Sequence, residues 1–269
     1  MNISFGQYYP ADSVIHKLDP RTKIILMFCY VTFVFISKSI IGNFVSLLFL
    51  LVVLSLAKIP TSIILNSVKK IGFLLLFTAC INVFFNPYGE VLLEISFVKI
   101  TTGGLSYAFK MAFRLIILII ASSMLTFTTK TLDFADGLES LLEPLKRFNF
   151  PAHELSMIIT IALRFIPTIL EEFIKIKNAQ ISRGANFDEG GLITKIKSFI
   201  PILVPLFVSA FKRANDLTIA MESRCYRGDM NRSKLKLLEY SKGDYQAFSI
   251  LFAYFIILMV VRFTIEANL

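Results

Sequence analysis

The sequence has 269 residues, of which 55% are hydrophobic, and 27 of them are phenylalanine. Soluble domains are less apolar than this, so the composition excludes an ordinary soluble protein and indicates an integral membrane protein. The net charge of +9 does not require a nucleic-acid partner, because membrane proteins carry excess Lys and Arg in their cytoplasmic loops. The three cysteines and two histidines are widely separated, so neither a metal site nor another cofactor site is predicted.

Five apolar stretches are predicted to cross the membrane. In chain order they run from about Thr22 to Ser37, Ile40 to Ala57, Ile71 to Phe85, Leu105 to Thr128 and Tyr245 to Val261. A helix needs about 20 residues to cross the hydrocarbon core, so the first and third stretches are short. We expect them to be tilted neighbours or to extend into their polar flanks. Between the third and fourth, two short β runs are predicted to form an external hairpin.

The distribution of charge predicts the orientation. Basic residues cluster before the first span, between the second and third, and throughout the long segment after the fourth. The remaining loops carry few of them. Because cytoplasmic loops are enriched in Lys and Arg, we expect a multi-pass protein of the cell membrane with a cytoplasmic N-terminus and an external C-terminus.

The segment after the fourth span is predicted to form three helices, from Leu132 to Phe148 with Thr131 as N-cap, from after Pro151 to Ser182, and from Leu192 to Tyr226. Pro201 and Pro205 should break the third, whose apolar part would lie in the membrane interface or under the bundle. The fold class is therefore all-α. The predicted domains are residues 1–130 with four transmembrane helices, a cytoplasmic or interfacial helical domain at 131–244, and a C-terminal transmembrane helix at 245–269.

One short pattern occurs twice, 41 positions apart, at the ends of the second and third of these helices. The first copy contains Ala179, Ser182, Arg183 and Gly184, and the second contains Ala220, Ser223, Arg224 and Cys225. Three identities in six residues also arise by chance, but their placement at two helix ends favours a functional repeat. Two equivalent ends are suited to a partner that is itself present in two copies.

The arginines have a simple structural explanation as well. A cation in the last turn of a helix interacts favourably with the macrodipole by about 0.3–1 kcal/mol. This does not explain the shared small residues upstream, which permit close approach, so we favour a docking role in which the guanidinium binds a carboxylate or carbonyl. On the second helix, Arg164, Glu171 and Lys175 have spacings that place them on one polar face.

Further stretches make the chain resemble the transmembrane coupling (T) component of energy-coupling factor (ECF) importers. They are Leu18-Asp19-Pro20-Arg21-Thr22-Lys23, Leu141-Leu142-Glu143-Pro144-Leu145-Lys146 and Ala162-Leu163-Arg164-Phe165-Ile166-Pro167, together with the two arginine motifs. The family motif is typically Ala-Arg-Gly, so both copies here have Ser for Ala. The second copy also has Cys225 for Gly, which argues against a left-handed helix end there, because a Cβ disfavours positive φ.

The resemblance implies the partners and the activity. Two ABC-type ATPase subunits would each accept one motif, and a small substrate-binding membrane protein, the S component, would pack against the spans and the long helices. The helical domain at 131–244 would then couple ATP-driven motion to uptake of a vitamin or a transition-metal ion. The chain itself would be neither an enzyme nor the carrier of the substrate.

Two other classes of function remain as alternatives. A self-contained permease would be expected to place intramembrane charges or discontinuous helices at its substrate site, yet the predicted spans contain no acidic residue. A membrane-embedded enzyme would need a nucleophile and base or a phosphate-binding loop, and the sequence has no such motif. The non-enzymatic coupler is therefore the leading hypothesis.

Overall fold

The computed structural model describes residues 8–37, 39–85, 89–95, 98–144, 151–185, 187, 191–226 and 238–266. Helices dominate this part of the chain, which confirms the all-α class. The elements in chain order are α1 (Pro20–Ile36), α2 (Ile40–Ala57), α3 (Thr61–Lys70), α4 (Gly72–Phe85), β1 (Val91–Ile95), β2 (Val98–Thr101), α5 (Thr102–Thr128), α6 (Thr131–Leu142), α7 (Ala152–Ser182), α8 (Leu192–Ser223) and α9 (Lys242–Glu266).

The chain forms two compact units. The first comprises Met1–Ser140 with Leu238–Leu269, and the second comprises Leu141–Leu237. Most of α6 therefore belongs with the first unit, although the sequence pattern grouped it with the two long helices that follow. A functional division at residues 131 and 244 remains a prediction.

The core of the first unit lies among α1, α2, α5 and α9. Val34, Ile117 and Leu258 are almost completely buried there. The side-chain amide of Asn43 is buried there without a hydrogen-bond partner among the described residues, whereas several other polar groups are paired. The Tyr30 hydroxyl donates to the Ser46 carbonyl at 2.9 Å, and the Ser46 and Tyr254 hydroxyls lie 2.7 Å apart.

Within the described residues, three helices are long and apolar enough to cross a membrane, namely α2, α5 and α9. The pair α3 and α4 would supply a fourth span if the two helices are counted together, with a bend of 54° between them. The predicted third span began at Ile71, but this residue lies at the bend, and helical structure extends back to Thr61. The 17 residues of α1 are fewer than the roughly 20 usually required, so a count of five spans remains a prediction.

A buried network joins the beginning of α1 to the beginning of α9. Asp19 caps α1 by accepting a 2.8 Å bond from the Arg21 amide, and its two carboxylate oxygens accept from the Arg21 guanidinium. The Asp244 carboxylate accepts 2.9 Å from the Asp19 amide, and it also accepts from the Ser241 amide and hydroxyl. The motif beginning at Leu18 therefore has a clear local role, because it fixes two helix starts together.

The connection between α4 and α5 is an antiparallel hairpin of β1 and β2, with Ile95 opposite Val98. This confirms the two predicted β runs. The position of the hairpin outside the cell remains a prediction.

Two boundaries differ from the sequence-based expectation. α6 begins at Thr131 itself and ends at Leu142, and residues 145–150, which include the predicted end at Phe148, lie outside the described part. In the second unit, α8 continues through Pro201 and Pro205 to Ser223. The prolines therefore do not break the helix, and the bend that their missing backbone donors favour stays a prediction.

Candidate functional site

The first motif forms a well-defined end of α7. Arg183 is the C-cap, and Gly184 follows with a φ of 89°. The Gly184 amide donates 2.9 Å to the Ile181 carbonyl, and the Ala185 amide donates 3.0 Å to the Gln180 carbonyl. These two bonds define a Schellman motif, in which glycine is favoured because positive φ costs it little.

The second motif forms the same structure at the end of α8. Arg224 is the C-cap, and Cys225 follows with a φ of 57°. The Cys225 amide donates 2.9 Å to the Glu222 carbonyl, and the Tyr226 amide donates 3.0 Å to the Met221 carbonyl. The expectation that Cys225 would prevent a left-handed end was therefore wrong. The strain of a non-glycine residue in this region is about 1–2 kcal/mol, which the two hydrogen bonds of the cap offset.

The side chains of both motifs are exposed. This holds for the eight residues Ala179, Ser182, Arg183, Gly184, Ala220, Ser223, Arg224 and Cys225. The two serine hydroxyls are turned back on their own helices, where they donate 3.1 Å to the carbonyls of Asn178 and Ala220. Among the described residues, neither motif guanidinium has an ion-pair partner. Each helix end therefore presents an exposed guanidinium beside small side chains.

The predicted polar stripe lies on α7 as expected, and Arg164, Glu171 and Lys175 are all exposed. The neighbouring residue Glu172 of α7 forms an ion pair with Arg213 of α8. Its carboxylate accepts a 2.6 Å bond from the Arg213 guanidinium, and the two side chains are 23% and 33% exposed. A hydrogen bond from Ser209 and the charge of Arg213 hold the pKa of Glu172 below its ordinary value.

The spacing of residues along the sequence carries a signal for this ion pair. Glu172 and Arg213 are 41 positions apart, as are the two motif arginines, so each partner lies 11 residues before its own motif. Eleven residues make about three helical turns, or roughly 16 Å, and bring the chain back to nearly the same face. The ion pair therefore joins the helices at equivalent distances from Arg183 and Arg224.

The chemistry of this site is that of recognition. In the described residues, no group of three His, Cys, Asp or Glu side chains could hold a metal ion. Guanidinium groups at capped helix ends can bind carboxylates or carbonyl groups of a partner with two parallel hydrogen bonds. The fold and the site thus define a multi-pass helical membrane protein that presents two matched arginine-bearing helix ends.

Comparison with known proteins agrees with this class. Residues 11–235 match the model of the CbiQ family, described as cobalt transport protein. The chain is 43% identical to a protein of Acidaminococcus fermentans over 99% of both chains, and 47% identical to one of Ruminiclostridium cellulolyticum over 90% of this chain and 91% of the other. A protein of Streptococcus equi is 44% identical over 89% of both chains. All three are named energy-coupling factor transporter transmembrane protein EcfT.

The chain therefore belongs to the CbiQ family of transmembrane components of energy-coupling factor transporters. This confirms the resemblance found in the sequence. The protein is thus a multi-pass membrane component of a transport system.

Proposed function

We propose that the protein is the non-catalytic coupling subunit of an ECF-type importer, in which α7 and α8 transmit ATP-driven motion. Each motif end would bind one of two ABC-type ATPase subunits. The observation that carries this proposal is the identity of the two ends, each with an exposed C-cap arginine followed by a left-handed residue and the same pair of backbone bonds. Two matching helix ends are suited to two matching grooves, one on each ATPase subunit.

The ion pair between Glu172 and Arg213 supports transmission rather than simple attachment. It joins α7 to α8 at 11 residues before each motif arginine. Movement of one helix end would therefore be transmitted to the other helix. A specific contact of this kind, added to the packing of α7 against α8, is what a coupling element needs if closure of the ATPase pair is to displace a third subunit.

A second surface suits the S component. On α8 an apolar face remains exposed, with the side chains of Ile196, Phe207, Val208 and Phe211 each more than 60% accessible. Contiguous apolar surface of this kind marks an interaction with a protein or a membrane. The S component would cover this face, and its substrate would be a vitamin or a transition-metal ion. The cytoplasmic N-terminus and the cell membrane location belong to the same proposal.

Charge reversal tests the docking role. We expect Arg183→Glu with Arg224→Glu to abolish co-purification of the ATPase subunits, because like charges that face each other across an interface cost several kcal/mol. Lys197→Glu is the matched control, since Lys197 is an exposed cation on α8 outside the motif. Wild-type assembly and uptake by the double variant would contradict the proposal.

Arginine-to-lysine variants separate docking from dipole compensation. Lysine retains the charge at the helix end, so a residue that only balances the macrodipole should tolerate the change. A bidentate contact is lost, however, and we expect the affinity for the ATPases to fall by about tenfold or more in Arg183→Lys with Arg224→Lys. Unchanged affinity would indicate that the arginines serve only their own helices.

Co-purification also distinguishes the permease alternative. A coupling subunit should bring down two ATPase polypeptides and one small membrane protein, and it should transport nothing when reconstituted alone. Uptake by the isolated chain in proteoliposomes would favour a self-contained permease.

A further inference from the structure

An apolar cavity of about 250 Å³ lies in the first unit, between α1, α2, α5 and α9. Lys23, Thr128 and Gly243 line one end, and all three lie where a helix begins or ends. Tyr30 and Leu50 line the other end, in the core. The cavity therefore runs from a membrane surface towards the middle of the bundle.

The shape suits a linear hydrocarbon. Lys23 and Tyr30 are seven residues apart on α1, so the cavity extends for about 10 Å along the helix. Its wall includes Leu56 of α2 and Ile250 of α9, whose side chains are 52% and 56% exposed. The cavity is thus open sideways between α2 and α9, both of which are long and apolar enough to cross the membrane.

The end at the membrane surface carries a buried cation. The Lys23 side chain is only 8% exposed, and its ammonium donates 3.0 Å to the His16 carbonyl and 2.9 Å to the Thr128 carbonyl. An ammonium has three protons, and among the described residues the third has no acceptor. Lys58 adds a second, exposed cation two residues beyond Leu56.

Carboxylates near this end are already engaged. Asp19 is paired with Arg21, and Asp244 accepts bonds from Ser241 and from the Asp19 amide. The charge of Asp133 also acts on Lys23, and Asp133 has a further interaction within the protein. Within the described residues, the remaining proton of Lys23 therefore has no acceptor, and an oxygen from outside the chain could accept it.

We propose that the cavity holds one acyl chain of a membrane phospholipid, whose phosphate lies against Lys23. Water is a poor occupant, because it needs two to four polar partners and the wall is almost entirely apolar. An apolar cavity of about 150 Å³ already binds a small hydrocarbon, and the lateral opening here meets the hydrocarbon of the bilayer. The lipid would fill the gap between α2 and α9 and bind these helices to α1.

Photolabelling and native mass spectrometry test this proposal on the full chain. The protein would be reconstituted into vesicles of phosphatidylethanolamine and phosphatidylglycerol that contain phosphatidylglycerol with a diazirine on its acyl chain. We expect the label on the segments around Met27 and Met124, both of which line the cavity. We also expect one retained phospholipid per chain after extraction into detergent.

Filling the cavity provides the decisive comparison. Ala247 lines the cavity, whereas Ala253 on the same helix is exposed. Ala247→Leu should lower the labelling at Met27 and Met124 by about fivefold or more, because the added bulk would have to overpack against a resident chain. Ala253→Leu adds the same bulk outside and should leave the labelling unchanged.

The phosphate contact is tested separately. Lys58→Asn removes the exposed cation but keeps a residue that tolerates the left-handed conformation found there (φ 54°). This variant should retain lipid, whereas Lys23→Met should lose it, with Lys23→Arg restoring it. Three results would each overturn the proposal. They are the absence of label from the segments around Met27 and Met124, equal labelling of Ala247→Leu and Ala253→Leu, and a higher thermal stability of Ala247→Leu with no change in retained lipid.

Discussion

The Glu172 carboxylate and the Arg213 guanidinium lie 2.6 Å apart and join α7 to α8. Each residue lies 11 positions before a motif arginine. The second unit therefore has an internal correspondence between its two long helices, in which the ion pair and the two capped ends occupy matching places. This correspondence supports the hypothesis that the two helix ends dock in the same way on two equivalent partner subunits.

Breaking the ion pair should weaken the contact between the two helices slightly but measurably. Both side chains are partly exposed, so we expect a coupling energy of about 1 kcal/mol or less between Glu172→Gln and Arg213→Met in a double-mutant cycle of unfolding. Glu171→Gln is the matched control, because Glu171 is exposed. An equal effect of the two glutamine changes would contradict a specific role for Glu172.

The same pair predicts a pH dependence. Ser209 and Arg213 lower the pKa of Glu172 from its ordinary value of 4.5 in the folded protein, so the unfolded chain binds the proton more tightly. The contribution of ionised Glu172 to the free energy of unfolding is therefore complete above pH 4.5. It is lost as the pH falls through the lower pKa of Glu172 in the folded protein. Glu172→Gln should remove this part of the acid sensitivity, which thermal unfolding at graded pH would measure.

The left-handed conformation of Cys225 predicts which substitutions the second motif accepts. Cys225→Gly should preserve the helix end and raise stability by up to about 1 kcal/mol, since glycine adopts positive φ without steric strain. Cys225→Val should destabilise the end and weaken ATPase co-purification, because a β-branched residue is a true outlier there. Gly184→Ala at the first motif should act in the same direction as the valine change. Normal assembly of Cys225→Val would show that the left-handed end is not needed for docking.

Gly42 of α2 lies close to Ser37, the residue that follows α1. A Cβ at this position would lie 2.0 Å from the Ser37 Oγ and 3.2 Å from its Cβ, so Gly42→Ala should destabilise the protein by about 1–3 kcal/mol. Gly72→Ala is the control, because no atom lies within 4 Å of its added Cβ. Thermal unfolding in detergent should separate the two variants, and equal midpoints would contradict the close contact.

Cysteine accessibility tests the orientation in the membrane. In a background without Cys29, Cys80 and Cys225, a cysteine at Glu90 should react with an impermeant reagent in intact cells. A cysteine at Lys177 should react only after permeabilisation, because the positive-inside distribution predicts that α7 lies in the cytoplasm. External labelling at Lys177 would contradict the topology and the docking proposal together.

Much of the protein was predictable because the determining signals are local. The apolar stretches identified α2, α5 and α9, since helices that contact hydrocarbon must be apolar along their whole length. The repeated small residues and arginines identified the ends of α7 and α8, because chain-terminating signals lie within a few residues of the helix end. The family followed from these same short motifs.

Other features depended on neighbours that are distant in the chain. Glu172 and its exposed neighbour Glu171 have the same chemistry, and only the packing of α8 against α7 decides which of them binds Arg213. The positive φ of Cys225 was unexpected because intrinsic preference opposes it, and the cap hydrogen bonds outweigh that preference. The cavity at Lys23 exists only because four separate helices leave a gap where they meet. Sequence alone determined most of the helical segments and the two motif-bearing helix ends. Tertiary packing decided which side chains pair and which spaces stay open, since these depend on distances between helices that local patterns do not encode.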